Sequence, residues 1–177
     1  MKRAALFFCV LLFVLSGLPA FADLNGANVT VNYLYPEQND VYQVLGTGVV
    51  TPGGFTVNSF GQHDFTTYPT DLVLTNVAGT DITFTSADFN GYGVVVNSGG
   101  SAITGFTIGF NDIAGFDPSR VTFDATHVWI NLQSLVTTPG KDLEVDLQFG
   151  NVPEPGSIAL LGSGMLAAFG AVRRKLL

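Results

Sequence analysis

The sequence predicts an all-β body, an antiparallel β-sandwich or barrel-like ectodomain, and three observations carry that prediction. Apolar and polar residues alternate in short stretches through the middle of the chain, which puts successive side chains on opposite faces of a strand. Gly, Asn, Asp and Pro gather between those stretches, where chain reversals need them. No stretch of helical period and useful length occurs over residues 23–151.

Taken in order, the chain opens with Met1, Lys2 and Arg3 and continues as an uninterrupted apolar run over residues 4–15. Ser16, Gly17 and Pro19 break a helix there, and Ala20, Phe21 and Ala22 supply the small-x-small pattern that fits signal peptidase. Residues 1–22 are expected to be a secretory signal peptide handled by the secretion machinery, cut after Ala22. An uncleaved anchor is the competing reading, but the run is short of the roughly 20 residues that a bilayer core requires. Cys9, the only cysteine, lies within this run and away from any lipoprotein cleavage position, so the mature chain is expected to have no disulfide and no cysteine ligand.

The body, residues 23–151, has the length of one domain and no internal linker or repeat. Its clearest strand is residues 141–149, where Leu143, Val145, Leu147 and Phe149 alternate with Asp142, Glu144, Asp146 and Gln148. The same period marks Val29, Val31, Tyr33 and Tyr35; Phe106, Ile108 and Phe110; and Val121, Phe123 and Ala125. Residues 41–50, 54–60, 72–77, 82–85 and 94–97 are further β-favouring stretches, and about eight to ten strands follow. Turns are expected at Pro52 to Gly54, Gly79 to Asp81, Asn90 and Gly91, Ser98 to Gly100, and Pro139 and Gly140, with one short turn over residues 116–120.

Charge narrows the partners. Residues 23–155 hold two cations, Arg120 and Lys141, against all fourteen acids, a net charge of −12. Nothing in that balance offsets phosphate repulsion, so nucleic acid and anionic lipid are poor partners.

Few residues in the body point to chemistry. His63 and His127 are the only imidazoles, and each has a nearby aspartate, Asp64 or Asp124, with which to form a metal or acid–base pair. Neither a zinc-protease motif nor a Gly-x-Ser-x-Gly elbow accompanies them, so no catalytic residue, metal or cofactor is assigned. A secreted hydrolase would need two carboxylates facing one cleft. Asp142, Glu144 and Asp146 share one strand face and read as its solvated side, since the Asp-x-Asp-x-Asp-Gly loop of a calcium site is missing.

The segment over residues 119–132 holds Arg120 and the only tryptophan. In strand geometry Val128, Ile130 and Leu132 take one face, leaving His127, Trp129, Asn131 and Gln133 on the other. An indole flanked by imidazole and amides is a platform on which a sugar ring can stack, which makes these four the candidate ligand face. Packing of Trp129 under a loop is the commoner fate of a tryptophan.

The chain ends with Val152, Pro153, Glu154 and Pro155, an uncharged run over residues 156–172, and then Arg173, Arg174 and Lys175. As a helix at about 1.5 Å per residue the run reaches roughly 25 Å, just enough to span with snorkelling cations. Apolar residues go all the way round it, which argues for a single transmembrane helix over a buried core helix. The positive-inside bias places the basic end in the cytoplasm and the body outside. Two prolines should hold Glu154 in an extended, accessible segment above the membrane.

In its order of motif, span and cations, this stretch over residues 152–177 resembles the PEP-CTERM sorting tail of exosortase substrates. The resemblance covers about one-seventh of the chain. It implies a membrane processing enzyme as partner, transient anchoring through the helix, and release or transfer to the cell surface of a bacterium that often makes exopolysaccharide. The expected protein is thus an exported, cell-surface or extracellular structural protein rather than an enzyme, with a polysaccharide-binding module as the alternative and a secreted hydrolase behind both.

Overall fold

The structure is a computed structural model, and it describes residues 22–150 apart from the Lys141 side chain. The expected signal peptide, the Pro-Glu-Pro motif and the membrane span over residues 156–172 lie outside the described residues, except for Ala22. Ala22–Gly150 forms one compact unit.

Twelve strands follow in order: β1 (Asn28–Leu34), β2 (Val41–Val49), β3 (Phe55–Ser59), β4 (His63–Thr67), β5 (Asp71–Asn76), β6 (Ile82–Thr83), β7 (Gly91–Ser98), β8 (Ile103–Asn111), β9 (Val121–Phe123), β10 (His127–Asn131), β11 (Val136–Thr137) and β12 (Gly140–Phe149). One 3-10 turn, Pro118–Arg120, precedes β9, capped by Asp117, whose carboxylate accepts from the Ser119 amide at 2.8 Å. Among the described residues there is no α-helix, and no helix is long and apolar enough to cross a membrane.

Every pairing is antiparallel. One sheet has the order β2-β1-β7-β10-β9, the other β3-β4-β5-β12-β8, and β6 with β11 makes a two-stranded ribbon. Inward residues of both large sheets build one core: Val29, Val31, Val94, Val128 and Ile130 from the first, Phe65, Leu72, Leu74, Leu143 and Val145 from the second. Phe65 of β4 and Tyr92 of β7 meet across that core with ring centroids 5.1 Å apart. Two sheets closing on a shared apolar layer form the expected sandwich.

The alternation read in β10 and β12 holds on the apolar side, with Val128, Ile130, Leu143 and Val145 all buried. The solvated side of β12 needs correction. The pairing with β5 slips between Lys141 and Leu143, so Asp142 is the unopposed residue of a bulge and turns inward, where it is 1 % exposed. Its two oxygens accept from the backbone amides of Asn76 (2.9 Å) and Thr138 (3.0 Å). Ala125 was expected to extend β9, but the strand stops at Phe123 because the Asp124 carboxylate captures the Thr126 and His127 amides at 2.7 Å each and closes a turn. Strand β4 escapes the period-two reading because two of its three inward residues are His63 and Thr67. At Gly91 the expected turn glycine serves close approach instead: an added Cβ would lie 2.0 Å from the Ile130 carbonyl oxygen of the neighbouring strand.

Candidate functional site

The outer face of the first sheet carries the residues singled out around the tryptophan. Register places Trp129 of β10 between Thr122 of β9 and Gly93 of β7, with Asn32 of β1 next in the same row. Gly93 leaves room chiefly for Leu34: a Cβ there would lie 2.8 Å from Leu34 Cδ1 and at ordinary contact distance, 3.4 Å, from Trp129 Cδ1. Trp129 is half-buried. The His127 imidazole lies parallel to it, with ring centroids 5.1 Å apart and 4° between the planes.

His127 is fixed from behind. Its Nδ1 lies 2.9 and 3.0 Å from the two Asp124 oxygens and 3.0 Å from the Thr126 hydroxyl. Desolvation pushes the Asp124 carboxyl up, but the bonds from Thr126 and His127 together outweigh it and hold the group below the usual carboxylate range. The sequence offered two histidine–aspartate pairs, and the structure brings together only this one. Asp64 accepts instead from Asn58 at 2.7 Å, while His63 faces the interior and contacts the Thr137 hydroxyl through Nε2 at 2.8 Å.

Beyond Trp129 the strand runs into an open depression of about 660 Å³. Asn131 and Gln133 line it, joined by Thr122, by Glu37 and Gln38 from the β1–β2 loop, by Asp88, and by Arg120. The Arg120 guanidinium donates through Nη1 to the carbonyls of Asn131 (3.3 Å) and Gln133 (3.0 Å), which docks the 3-10 turn on the end of β10. Asn131 is largely spent on structure: its oxygen accepts from the Asn90 and Gln133 amides and its nitrogen donates to the Asp88 carbonyl. In the Trp129 row, the buried Asn32 Oδ1 has no hydrogen-bond partner. Sequence reasoning missed Glu37, Gln38, Asp88 and Thr122, because the lining comes from separate loops that no local pattern joins.

The face thus combines a braced aromatic stack with carboxylate, amide and hydroxyl groups that can bind a polyol. No group of three or more His, Cys, Asp or Glu suited to a metal occurs among the described residues.

Comparison with known proteins adds the other end of the chain. Residues 151–175 match the PEP-CTERM protein-sorting motif, which supports an exosortase substrate and implies export toward the cell surface by way of membrane processing. No curated protein and no solved structure matches the chain.

Proposed function

We propose that the processed domain is a non-enzymatic structural or interaction protein of the cell surface or extracellular matrix, associated with the exopolysaccharide or biofilm of its producer. The sorting motif at residues 151–175 carries this reading. The acidic body supports it, since a net charge of −12 over residues 23–155 favours solubility outside the cell. Mass measurement of the protein from hosts with and without exosortase tests it. The expected product lacks both residues 1–22 and the basic tail only when the enzyme is present. Cytoplasmic retention, or an unprocessed chain in the exosortase-bearing host, sinks the reading. Release of reducing sugar that Glu37→Gln or Asp88→Asn abolishes would replace it with a hydrolase.

A second reading has the Trp129 face holding polysaccharide, and the parallel stack of His127 on Trp129 beside the polar depression favours it. A sugar ring stacks through its C–H face and hydrogen-bonds at its rim, which needs an aromatic plane and polar groups side by side.

A further inference from the structure

We propose that the Thr137 hydroxyl attacks the side-chain amide of Asn76 with His63 as base, so that the folded domain loses ammonia and gains an ester bond joining β11 to β5. This goes beyond the proposed function and does not depend on it.

The three groups lie together in the interior. Thr137 is fully buried, His63 is 2 % exposed and Asn76 is 3 % exposed. The Thr137 Oγ1 lies 2.8 Å from His63 Nε2, 3.4 Å from Asn76 Nδ2 and 3.4 Å from the Ile82 carbonyl oxygen. Its single proton goes to the nearer acceptor, the imidazole, when that ring is neutral and carries its own hydrogen on Nδ1. Burial pushes His63 down to about 4, so the ring is neutral near pH 7. A hydroxyl bonded to a neutral imidazole is the arrangement from which a serine or threonine becomes a nucleophile.

The amide beside it is prepared for attack. Asn76 Oδ1 accepts from the Ala78 backbone amide at 2.9 Å, a donor already in place for the charge that gathers on that oxygen as the carbonyl becomes tetrahedral. The amide nitrogen donates to the carbonyls of Thr80 at 2.8 Å and Thr137 at 3.2 Å. Attack needs about 3 to 3.5 Å between Oγ1 and the carbonyl carbon, which is one bond from that nitrogen, so a small turn of the Asn76 side chain completes the approach. Asp142 is a positioning residue: its carboxylate accepts from the backbone amides of Asn76 itself and of Thr138, next to Thr137.

The step balances with no further reactant. Oγ1 bonds to Asn76 Cγ as its proton passes to His63 Nε2. The tetrahedral centre then collapses, the Cγ–Nδ2 bond breaks, and His63 returns the proton to the nitrogen, which leaves as ammonia. Thr80 is exposed, so a nitrogen held on its carbonyl has a short way to water, and dilution outside the cell pulls the step forward. The same burial keeps water from hydrolysing the ester. Asn76 and Thr137 are 61 residues apart, so the bond restrains the unfolded chain as a disulfide does, in a body that has no cysteine.

Peptide mass analysis of the processed protein, denatured and cut with trypsin, tests the proposal. Arg120 and Lys141 are the only trypsin sites over residues 23–155, so Asn76 and Thr137 fall on separate peptides, 23–120 and 121–141. The expected result is a joined pair about 17 Da lighter than the two peptides together, the mass of one ammonia. Dilute alkali should part the pair and leave a carboxylate at position 76. Thr137→Ser should keep the bond and Thr137→Val should lose it, while His63→Gln should slow its formation at least about a hundredfold. Wild-type peptides that run separately at their full masses overturn the proposal, as does a joined pair that survives Thr137→Val. A His63→Gln protein joined as fast as wild type removes the base and with it the proposed step.

Discussion

His63 and His127 each lie beside an aromatic ring, and the interior and the surface use the same chemistry to opposite ends. His63 is 2 % exposed, packs 5.3 Å from Phe84, and belongs to a knot in which the Asn76 side chain donates to the carbonyls of Thr80 and Thr137 while its backbone amide donates to Asp142. His127 lies on the surface with Asp124 behind it and Trp129 alongside. Every polar group of the interior knot is committed to closing a bulge or a short ribbon, whereas the surface set keeps its ring faces near water. Solvent access, rather than residue type, separates the histidine committed to bracing from the one whose ring stays near water.

Breaking the interior knot should have the largest effect. Asp142→Ala strands the buried Asn76 amide and removes the part-buried bond of the Thr138 amide, and should cost roughly 1 to 3 kcal/mol in denaturant unfolding. A loss below about 0.5 kcal/mol would mean that the bulge is not held by its carboxylate.

The pH dependence sharpens the contrast further. Burial pushes the Asp142 carboxyl up to about 6, helped by Asp112, against the pull of the Thr138 and Asn76 amides. The folded state therefore holds that proton more tightly than the unfolded chain. Its contribution is complete below the ordinary value of 3.8 and is lost as pH rises through about 6. Burial pushes His63 the other way, down to about 4, so its contribution is complete above 6.5 and is lost as pH falls through about 4. The two oppose each other, and the wild-type stability curve should be nearly flat between those limits. Asp142→Asn should leave a protein that weakens on acidification in that window, and His63→Gln one that strengthens. Parallel slopes in the two variants would contradict the assignment.

Smaller effects belong to the surface set. Trp129→Ala should reduce retention on the producer's polysaccharide several-fold in affinity electrophoresis, with a thermal midpoint close to that of wild type, since the indole lies on the outer face. His127→Ala should have the weakest effect, a loss of roughly 0.5 to 1 kcal/mol in binding, because it removes only one partner of the stack. Equal retention in both variants would assign this face to bracing as well.

Much of this was legible in the sequence. Val128, Ile130 and Leu132 opposite His127, Trp129, Asn131 and Gln133 could be read directly, because a two-residue period has one structural meaning in a strand. Asp142 could not. A bulge shifts one residue to the other face, and whether it forms depends on the register of a partner strand some 65 residues earlier in the chain. The depression beside Trp129 was equally hidden, since Glu37, Asp88 and Arg120 meet there only after β1, β7 and β10 have paired.

Local order along the chain was enough to establish the all-β class and the sorting motif, because alternation, turn residues and a motif–span–cation series are all properties of neighbours in sequence. Tertiary structure alone decided which histidine is dry and which aspartate is buried. Those outcomes depend on strand register and sheet closure, which join residues far apart in the chain and set how much water each polar group retains.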